Sequence, residues 1–289
     1  HHHVFIQNRS RGGPASIPVL WAKVWGRSRM DLLPLLVFIL QWGCSSSALI
    51  VERKDCEENQ KTCQFNADHP VLGSGEMFDS ISGRYDAINR IMSLGMDQSW
   101  RRRMVNALEV NAHEKVLDLA TGTADVAIIE AQNQPSSTIL GVDPSAKMLA
   151  IGREKLEASG LEDRVTLELG DAMDLSGIEN GTFDKVSIAF GIRNIRDRMQ
   201  ALKEMRRVIK SEPMSRLAIL EFAEPSGGVM EFFARMFIKH VVPVVGALLS
   251  GKWNEYMHLE ESIMAFPSPK EFSMMMSQAG FEVMSTESM

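Results

Sequence analysis

Two carboxylates flank a run of small residues in the middle of the chain, a combination that could bind a ligand. Asp118 stands before and Asp125 after residues 120–124, which include Gly122 and Thr123. Small side chains let a ligand approach the main chain, and the first turn of a following helix offers free N–H donors. A dinucleotide site needs further glycines to admit a pyrophosphate, and phosphates fit poorly beside two acids. The pattern favours an uncharged or cationic nucleoside such as S-adenosyl-L-methionine, with an ordinary strand-to-helix turn as the alternative.

Two more acids follow the next predicted strands. Asp143 ends a strand about twenty residues past the glycine turn, where a carboxylate can accept the hydroxyls of a ribose. The same residue could simply begin a turn at Pro144. Asp171 follows the third strand, so its carboxylate could accept from an adenine amine while the Ala172 N–H donates to a ring nitrogen.

The elements that must position these residues alternate between strand and helix. Alternation of this kind predicts a parallel sheet with its ligand at the carboxyl ends of the strands. Helical spacing from residue 77 to residue 100, interrupted near Gly83 and Gly95, predicts short helices packed over the glycine turn. The predicted strands are 116–119, 138–142, 165–169, 183–190, 217–222 and one beginning at 281, and the helices between them are 125–132, 145–158, 199–209 and 269–279.

Composition restricts the class of protein. The chain has 289 residues, of which 45% are hydrophobic, and a net charge of -6, so it can bury a full core and is poorly suited to binding nucleic acid. All three cysteines lie before residue 64, which excludes a thiol nucleophile, a cysteine-ligated zinc and a disulfide framework from the rest of the chain. We therefore expect no metal site and no nucleic-acid partner.

The chain divides into a leader and one domain. Residues 1–69 contain a short apolar run at 32–40, preceded by Arg27 and Arg29, which is too short to span a bilayer. A cleavable leader followed by a linker is favoured over an uncleaved anchor. Residues 70–289 form the folded domain, and within it residues 226–268 break the alternation with an amphipathic stretch. This insertion is predicted to be a helical lid that could also touch a membrane surface.

Three stretches resemble one family: residues 85–89, residues 118–125 and residues 190–194. From about Met77 onward the chain is similar to the ubiquinone/menaquinone biosynthesis C-methyltransferases, enzymes of the class I methyltransferase fold that use S-adenosyl-L-methionine. The resemblance implies an α/β, Rossmann-like, doubly wound and mostly parallel sheet with N-terminal helices and a helical lid insertion.

The resemblance also implies roles for individual residues. Arg193 would stabilise a developing phenolate, and Tyr85 or a water would relay the proton, while an alternative is that Arg193 pairs with an acid of the lid. The implied reaction transfers a methyl group to a ring carbon of a polyprenylated hydroquinone. Gly122 and Thr123 would hold the methionine part of the cofactor, Asp143 the ribose, and Asp171 with Ala172 the adenine, and Asn194 would face the quinol.

Several departures and alternatives remain. Asp97 replaces a histidine, Ala124 a glycine and Ala189 a serine of the family pattern, and an antiparallel seventh strand is not apparent. Methylation of another small lipid or phenol stays open, as does a non-catalytic cofactor-binding role in a quinone-synthesis complex. The leader suggests a mitochondrion or a plastid, with peripheral membrane attachment. The acceptor can be a benzoquinol or a naphthoquinol.

Overall fold

The structure is a computed structural model, and it describes residues 17–23, 75–93, 95–222, 262–263 and 265–288. Most of the predicted lid at 226–268 lies outside the described residues, as does most of the predicted leader at 1–69. Within the described part, no helix has the length and apolar character that crossing a bilayer requires.

The described strands form one seven-stranded sheet in the order β4-β3-β2-β5-β6-β1-β7. Every strand pairing in this sheet is parallel. The strands are β1 Ile17–Lys23, β2 Lys115–Leu119, β3 Thr138–Asp143, β4 Val165–Leu169, β5 Lys185–Ala189, β6 Arg216–Glu221 and β7 Phe281–Ser288.

Helices cover both faces of the sheet. The helices are α1 Gly75–Met92, α2 Asp97–Leu108, α3 Asp125–Asn133, α4 Ala146–Ser159, α5 Arg198–Val208 and α6 Pro269–Gln278. Buried side chains of α5 and α6 share one apolar cluster with Leu117 and Val186 of the sheet. Buried side chains of α2, α3 and α4 pack on the opposite face, against Val116 and Ala218 among others. The predicted doubly wound α/β fold is confirmed.

Local signals explain where the helices begin and end. The Ser145 hydroxyl accepts the Met148 N–H and caps α4, which ends at Gly160 in the left-handed region with φ +63°. Ser268 and Glu271 form a capping box at the start of α6. One predicted boundary is wrong, because α1 runs through Gly83 without interruption. Gly83 has open space around it, so nothing there forces the helix to end.

One strand is not predicted by the sequence analysis. β1, Ile17–Lys23, lies between β6 and β7 and pairs with both in parallel. Pro18, which has no N–H, pairs only with the β7 side, and the β6 register begins one residue later at Val19. This strand lies within the segment assigned to a leader. The cleavable leader itself stays a prediction.

Candidate functional site

The turn between β2 and α3 has an unusual backbone. Ala120, Gly122 and Ala124 all have positive φ, at 50°, 56° and 65°. Residues with side chains occupy this region at a cost of about 1–3 kcal/mol each, and such strain concentrates at functional sites. Alternating left-handed residues also turn successive N–H groups inward, which makes a concave set of donors. A Cβ on Gly122 would meet no atom within 4 Å, so the turn is open at that point.

Asp143 points into this concavity from the end of β3. Its Oδ2 accepts the Gly122 N–H at 2.8 Å, and its Oδ1 accepts the Ser145 N–H at 2.8 Å. Burial raises its pKa to about 6, although both hydrogen bonds act to lower it. The predicted pairing of the glycine turn with this acid is therefore present as a direct contact, and the ribose contact stays a prediction.

Asp118 forms the floor of the same site. It is 1% exposed and accepts hydrogen bonds from the Thr121 hydroxyl at 2.6 Å and the Ser187 hydroxyl at 3.0 Å. Burial raises its pKa to about 7. No described cation lies within ion-pair distance of Asp118 or Asp143. Two buried carboxyl groups thus face one crevice without a cationic partner.

A cavity of about 30 Å³ lies between Asp118 and α1, and it has room for one water molecule but not for a nucleoside. Tyr85 of α1 lines it together with Gly122, Thr123 and Arg101. Burial raises the pKa of Tyr85 above its ordinary value, against the opposing effects of the Arg193 and Arg101 charges.

An ion network ties α1 to the turn. The Thr123 hydroxyl donates to Asp86 at 2.7 Å, and the Lys155 ammonium donates to the Thr123 hydroxyl at 2.8 Å. Lys155 also pairs with Asp86 at 2.6 Å and with Asp125 at 2.7 Å. The hydroxyl of Thr123 is therefore engaged by the protein itself. Asp86 belongs to the stretch 85–89 that the sequence analysis singled out. Lys155 is a functional candidate that it missed, because no local pattern marks this lysine on its helix.

A second network joins α2 to α3. Arg101 donates to Asp97 at 2.5 Å, and the Gln98 amide donates to Asp125 at 2.9 Å. Burial acts to raise the pKa of Asp125, but the charges of Arg101 and Lys155 outweigh it and hold that pKa below its ordinary value. Asp125 is thus neutralised by neighbouring cations, whereas Asp118 and Asp143 have no described cationic partner.

Arg193 lies in a 3-10 turn, Ile192–Asn194, and is held rigidly. Its side-chain Nη1 donates to Glu221 Oε1 at 2.5 Å and to the Phe190 carbonyl at 2.6 Å. Its backbone N–H donates to Glu221 Oε2. The partner acid thus lies at the end of β6, whereas the lid acids are outside the described residues. The buried Nε has no hydrogen-bond partner within the described part of the chain. Arg193 does not line the small cavity.

Close packing brings residues 190–194 against the glycine turn. A Cβ on Gly191 would lie 2.4 Å from the Ala120 Cβ, so only glycine fits there. Phe190 adopts φ 58°, and its ring stacks on Phe222 with centroids 4.7 Å apart. Asn194 is half-buried at the end of this segment.

The third loop reaches the same edge of the sheet. The Gly170 N–H donates to the Asp143 carbonyl at 3.1 Å, so Asp171 follows directly beside Asp143. Asp171 is exposed and accepts the Met173 N–H at 2.9 Å, whereas Ala172 is buried. Their roles toward an adenine stay predictions. Among the described residues, no group of three or more His, Cys, Asp or Glu side chains could hold a metal ion.

Comparison with known proteins gives a match over most of the chain. Residues 67–289 match the model of the ubiE/COQ5 methyltransferase family. The chain belongs to this family. It is 44% identical over 207 residues to the demethylmenaquinone methyltransferase of Thermus thermophilus, covering 72% of this chain and 92% of that protein. It is 41% identical over 208 residues to the ubiquinone/menaquinone biosynthesis C-methyltransferase UbiE of Geotalea daltonii, covering 72% and 87%.

One solved structure completes these comparisons. The YcgJ protein of Bacillus subtilis aligns with 63% of this chain and 67% of its own chain, at 21% identity and a TM-score of 0.48.

Membership of the ubiE/COQ5 family gives the departures a structural meaning. Ala124 occupies a left-handed position with φ 65°, which is why a glycine is expected there. Asp97, in the place of an expected histidine, is buried and neutralised by Arg101, so this change is accommodated by a charge pair. Ala189 lines the cavity where a serine hydroxyl would have offered a hydrogen bond.

Proposed function

We propose that this family member transfers a methyl group from S-adenosyl-L-methionine to a ring carbon of a polyprenylated hydroquinone, in ubiquinone or menaquinone biosynthesis. The observation that carries the proposal is the pair of buried, unneutralised carboxyl groups facing the strained glycine turn. Relatives that are 41–44% identical bear the names of quinone methyltransferases, which supports the acceptor class.

The residues of the crevice fit S-adenosyl-L-methionine by their chemistry. Asp143 has lone pairs for ribose hydroxyls beyond the two N–H groups that it already accepts. Asp118 offers negative charge to a sulfonium or an ammonium group, and a buried acid without a cation gains most from such a ligand. The open space at Gly122 lets a ligand reach the main chain.

The cofactor would supply an electrophilic methyl group on a positively charged sulfur. The chain's own residues would orient the acceptor, exclude water and hold charge on the ring oxygen. Arg193 is suited to the last role because its guanidinium is rigid and its Nε has no described partner. Tyr85, which borders the cavity, or an ordered water would relay the phenolic proton: the neutral Tyr85 hydroxyl would take that proton as it passes its own to a water. A new carbon–carbon bond would form as the carbon–sulfur bond breaks. The ring proton would then leave and the ring oxygen would regain a proton from solvent, so that one proton is released in total.

The test uses a hydroquinone with a short prenyl tail as acceptor. Arg193→Ala combined with Glu221→Gln removes both charges of the buried pair, so no unpaired carboxylate is left behind. We expect S-adenosyl-L-methionine affinity to be unchanged and turnover to fall by about 100-fold. Arg153→Ala, which removes an arginine that donates to the Leu167 carbonyl within the described part of the chain, is the matched control. Unchanged turnover in the double variant would remove Arg193 from the mechanism.

Other acceptors are separated by the same assay. Benzoquinols, naphthoquinols and simple phenols are compared as substrates, because the crevice chemistry alone does not distinguish their rings. Cofactor binding with no product from any acceptor would favour a non-catalytic role in a quinone-synthesis complex.

Attachment and location complete the proposal. We propose peripheral membrane contact through residues 229–249, which mix apolar and charged residues, because a polyprenyl tail resides in a bilayer. The basic and apolar run before residue 41 supports delivery to a mitochondrion or a plastid. Vesicle flotation tests the membrane contact, and imaging of a fluorescent fusion tests the location.

A further inference from the structure

The first turn of α1 lies on the turn that follows Asp143, a contact that the proposed mechanism does not use. A Cβ on Gly75 would be 2.1 Å from the Pro144 carbonyl oxygen, closer than a Cβ can approach an oxygen. Only glycine therefore fits at this end of α1, which packs directly on the turn between β3 and α4. By contrast, a Cβ on Gly83 of the same helix would meet no atom within 4 Å.

Asp79, one turn further along α1, binds the start of α4. Its Oδ1 accepts the Ser145 hydroxyl at 2.5 Å and the Lys147 N–H at 3.0 Å. Lys147 lies in the first turn of α4, where N–H groups have no partner within the helix and the helix dipole favours a carboxylate. Burial acts to raise the pKa of Asp79, but these hydrogen bonds outweigh it and hold that pKa below its ordinary value. Asp79 is thus ionised at neutral pH.

Ser145 connects Asp79 with the acid of the crevice. Its hydroxyl donates to Asp79 and accepts the Met148 N–H, which fixes the turn from both sides. Its backbone N–H donates to Asp143 Oδ1 at 2.8 Å, while Asp143 Oδ2 accepts the Gly122 N–H at 2.8 Å. One continuous set of contacts therefore joins α1 to Asp143 and to the glycine turn.

We propose that Asp79 is a positioning residue for the cofactor: from α1 it fixes the turn at Ser145, so that Asp143 is held toward the ribose of S-adenosyl-L-methionine. This inference rests on the proposed function for the identity of the ligand. A carboxylate that is oriented before the ligand arrives loses less conformational entropy on binding. Cofactor affinity should therefore depend on Asp79, which does not line the small cavity.

The first experiment separates the hydrogen bonds of Asp79 from its charge. Calorimetry measures S-adenosyl-L-methionine binding to the full chain at about pH 8, where Asp143, with a pKa of about 6, is ionised. Asp79→Ala should lower affinity by about tenfold, because hydrogen bonds to a charged group are lost. Asp79→Asn should stay within about twofold of the wild type, because one amide oxygen can accept both bonds. Glu76→Ala, at an exposed acid of the same helix, is the matched control.

Kinetics and a double-mutant cycle test whether Asp79 acts through Asp143. With the short-tail hydroquinone as acceptor, Asp79→Ala should raise KM for S-adenosyl-L-methionine by about tenfold and leave kcat within about twofold. Combining Asp79→Ala with Asp143→Asn completes the cycle. The double variant should lose little more affinity than Asp143→Asn alone, because the acid that Asp79 positions has already lost its charge.

Gly75→Ala tests the docking of α1 without removing a polar group, and it serves where Asp79→Ala folds poorly. The added methyl group must push the helix end away from the Pro144 carbonyl, so we expect affinity to fall by about tenfold. Gly83→Ala, where the space is open, is the matched control and should keep the wild-type affinity.

The outcomes separate this inference from the proposed function. If the wild type does not bind S-adenosyl-L-methionine, the proposed function fails and the inference fails with it. If the wild type binds, and Asp79→Ala and Gly75→Ala bind equally well, only the inference is overturned. Equal losses in Asp79→Asn and Asp79→Ala would mean that charge, not the hydrogen bonds, sets affinity. Fully additive losses in the cycle would mean that Asp79 does not act through Asp143, and either result overturns the inference.

Discussion

The sheet face covered by α2, α3 and α4 buries charged side chains at both of its ends, and the two ends neutralise them differently. At the amino ends of the strands, the fully buried Lys185 donates to the Met214 carbonyl at 2.5 Å and lies 3.6 Å from Glu114. Arg216 beside it pairs with Glu109 at 2.5 Å. At the carboxyl ends, Asp118 and Asp143 have no described cation within ion-pair distance, and neither does the buried Glu130 of α3 on the same face.

This contrast separates charges that stabilise the fold by pairing inside the protein from charges that are available to a ligand. A buried charge that is paired inside the protein adds structure but leaves nothing for a ligand to neutralise. Buried acids without a cationic partner destabilise the protein in the absence of ligand, and binding of a cationic ligand offsets that cost. Asp97 and Asp125 show that the chain can supply cations near the crevice, since both acids are neutralised there.

The largest effect should come from disrupting the charge pairs at the amino ends of the strands. Lys185→Ala removes a buried cation from Glu114 and from the Met214 carbonyl, so we expect a loss of about 3 kcal/mol in the free energy of unfolding. Urea denaturation measures it. Cofactor affinity of the folded protein should not change, because Lys185 lies at the opposite end of the strands.

The control for this change removes both charges together. Lys185→Met combined with Glu114→Gln keeps the volume and should restore stability to within about 1 kcal/mol of the wild type. A Lys185→Ala protein that keeps its stability but loses the cofactor would contradict the assignment of this end to the fold.

At the carboxyl ends of the strands, Asp143→Asn should mainly lower cofactor affinity and have a smaller effect on stability. The amide keeps the shape but loses the charge that receives the ribose hydroxyls, so we expect S-adenosyl-L-methionine affinity to fall by about 100-fold, or ~2.7 kcal/mol. Stability without the cofactor should fall by only about 1 kcal/mol, because the asparagine NH2 cannot accept one of the two N–H groups that Asp143 receives. Isothermal titration measures affinity, and Asp174→Asn, at an exposed acid, is the control. Equal losses in both variants would mean that overall charge, not the site, sets affinity.

The pH dependence of stability should carry the same signature. Asp143 titrates at about 6 in the folded protein against an ordinary value of 3.8, so the folded state holds this proton more tightly. Its contribution favours folding at low pH and is lost as pH rises through that window, by about 2 kcal/mol. Relative to the wild type, Asp143→Asn should therefore gain stability between about pH 4 and about pH 7. A constant difference across this range would contradict the raised pKa.

The smallest effect concerns the strain of the glycine turn. Ala124→Gly relieves a left-handed alanine but loses a buried methyl group, so we expect a net gain of about 0.5 kcal/mol. Thermal unfolding measures the shift. Ala127→Gly, two residues into α3, is the matched control and should lose about 1 kcal/mol. A loss of stability in Ala124→Gly would mean that packing of its methyl group outweighs the strain.

Signals that act within a few residues made most of the fold predictable. The period of the apolar residues, the Ser145 cap and Gly160 set strand and helix boundaries to within about two residues. The glycine turn and Asp143 were predicted together because the acid closes the very next strand. The Gly83 break failed because a single glycine lowers helix propensity without ending a helix that is supported by packing.

The sequence by itself determined the order of strands and helices from β2 onward, the glycine turn and the acids at the strand ends, because those depend on neighbours along the chain. Only the tertiary structure decided which charges are neutralised. Lys155 pairs with Asp86, Arg193 pairs with Glu221, and Glu130 is fully buried where the charge of Asp118 acts on it. These contacts join residues far apart in the chain, so they exist only once the helices have packed on the sheet and water has been excluded between them.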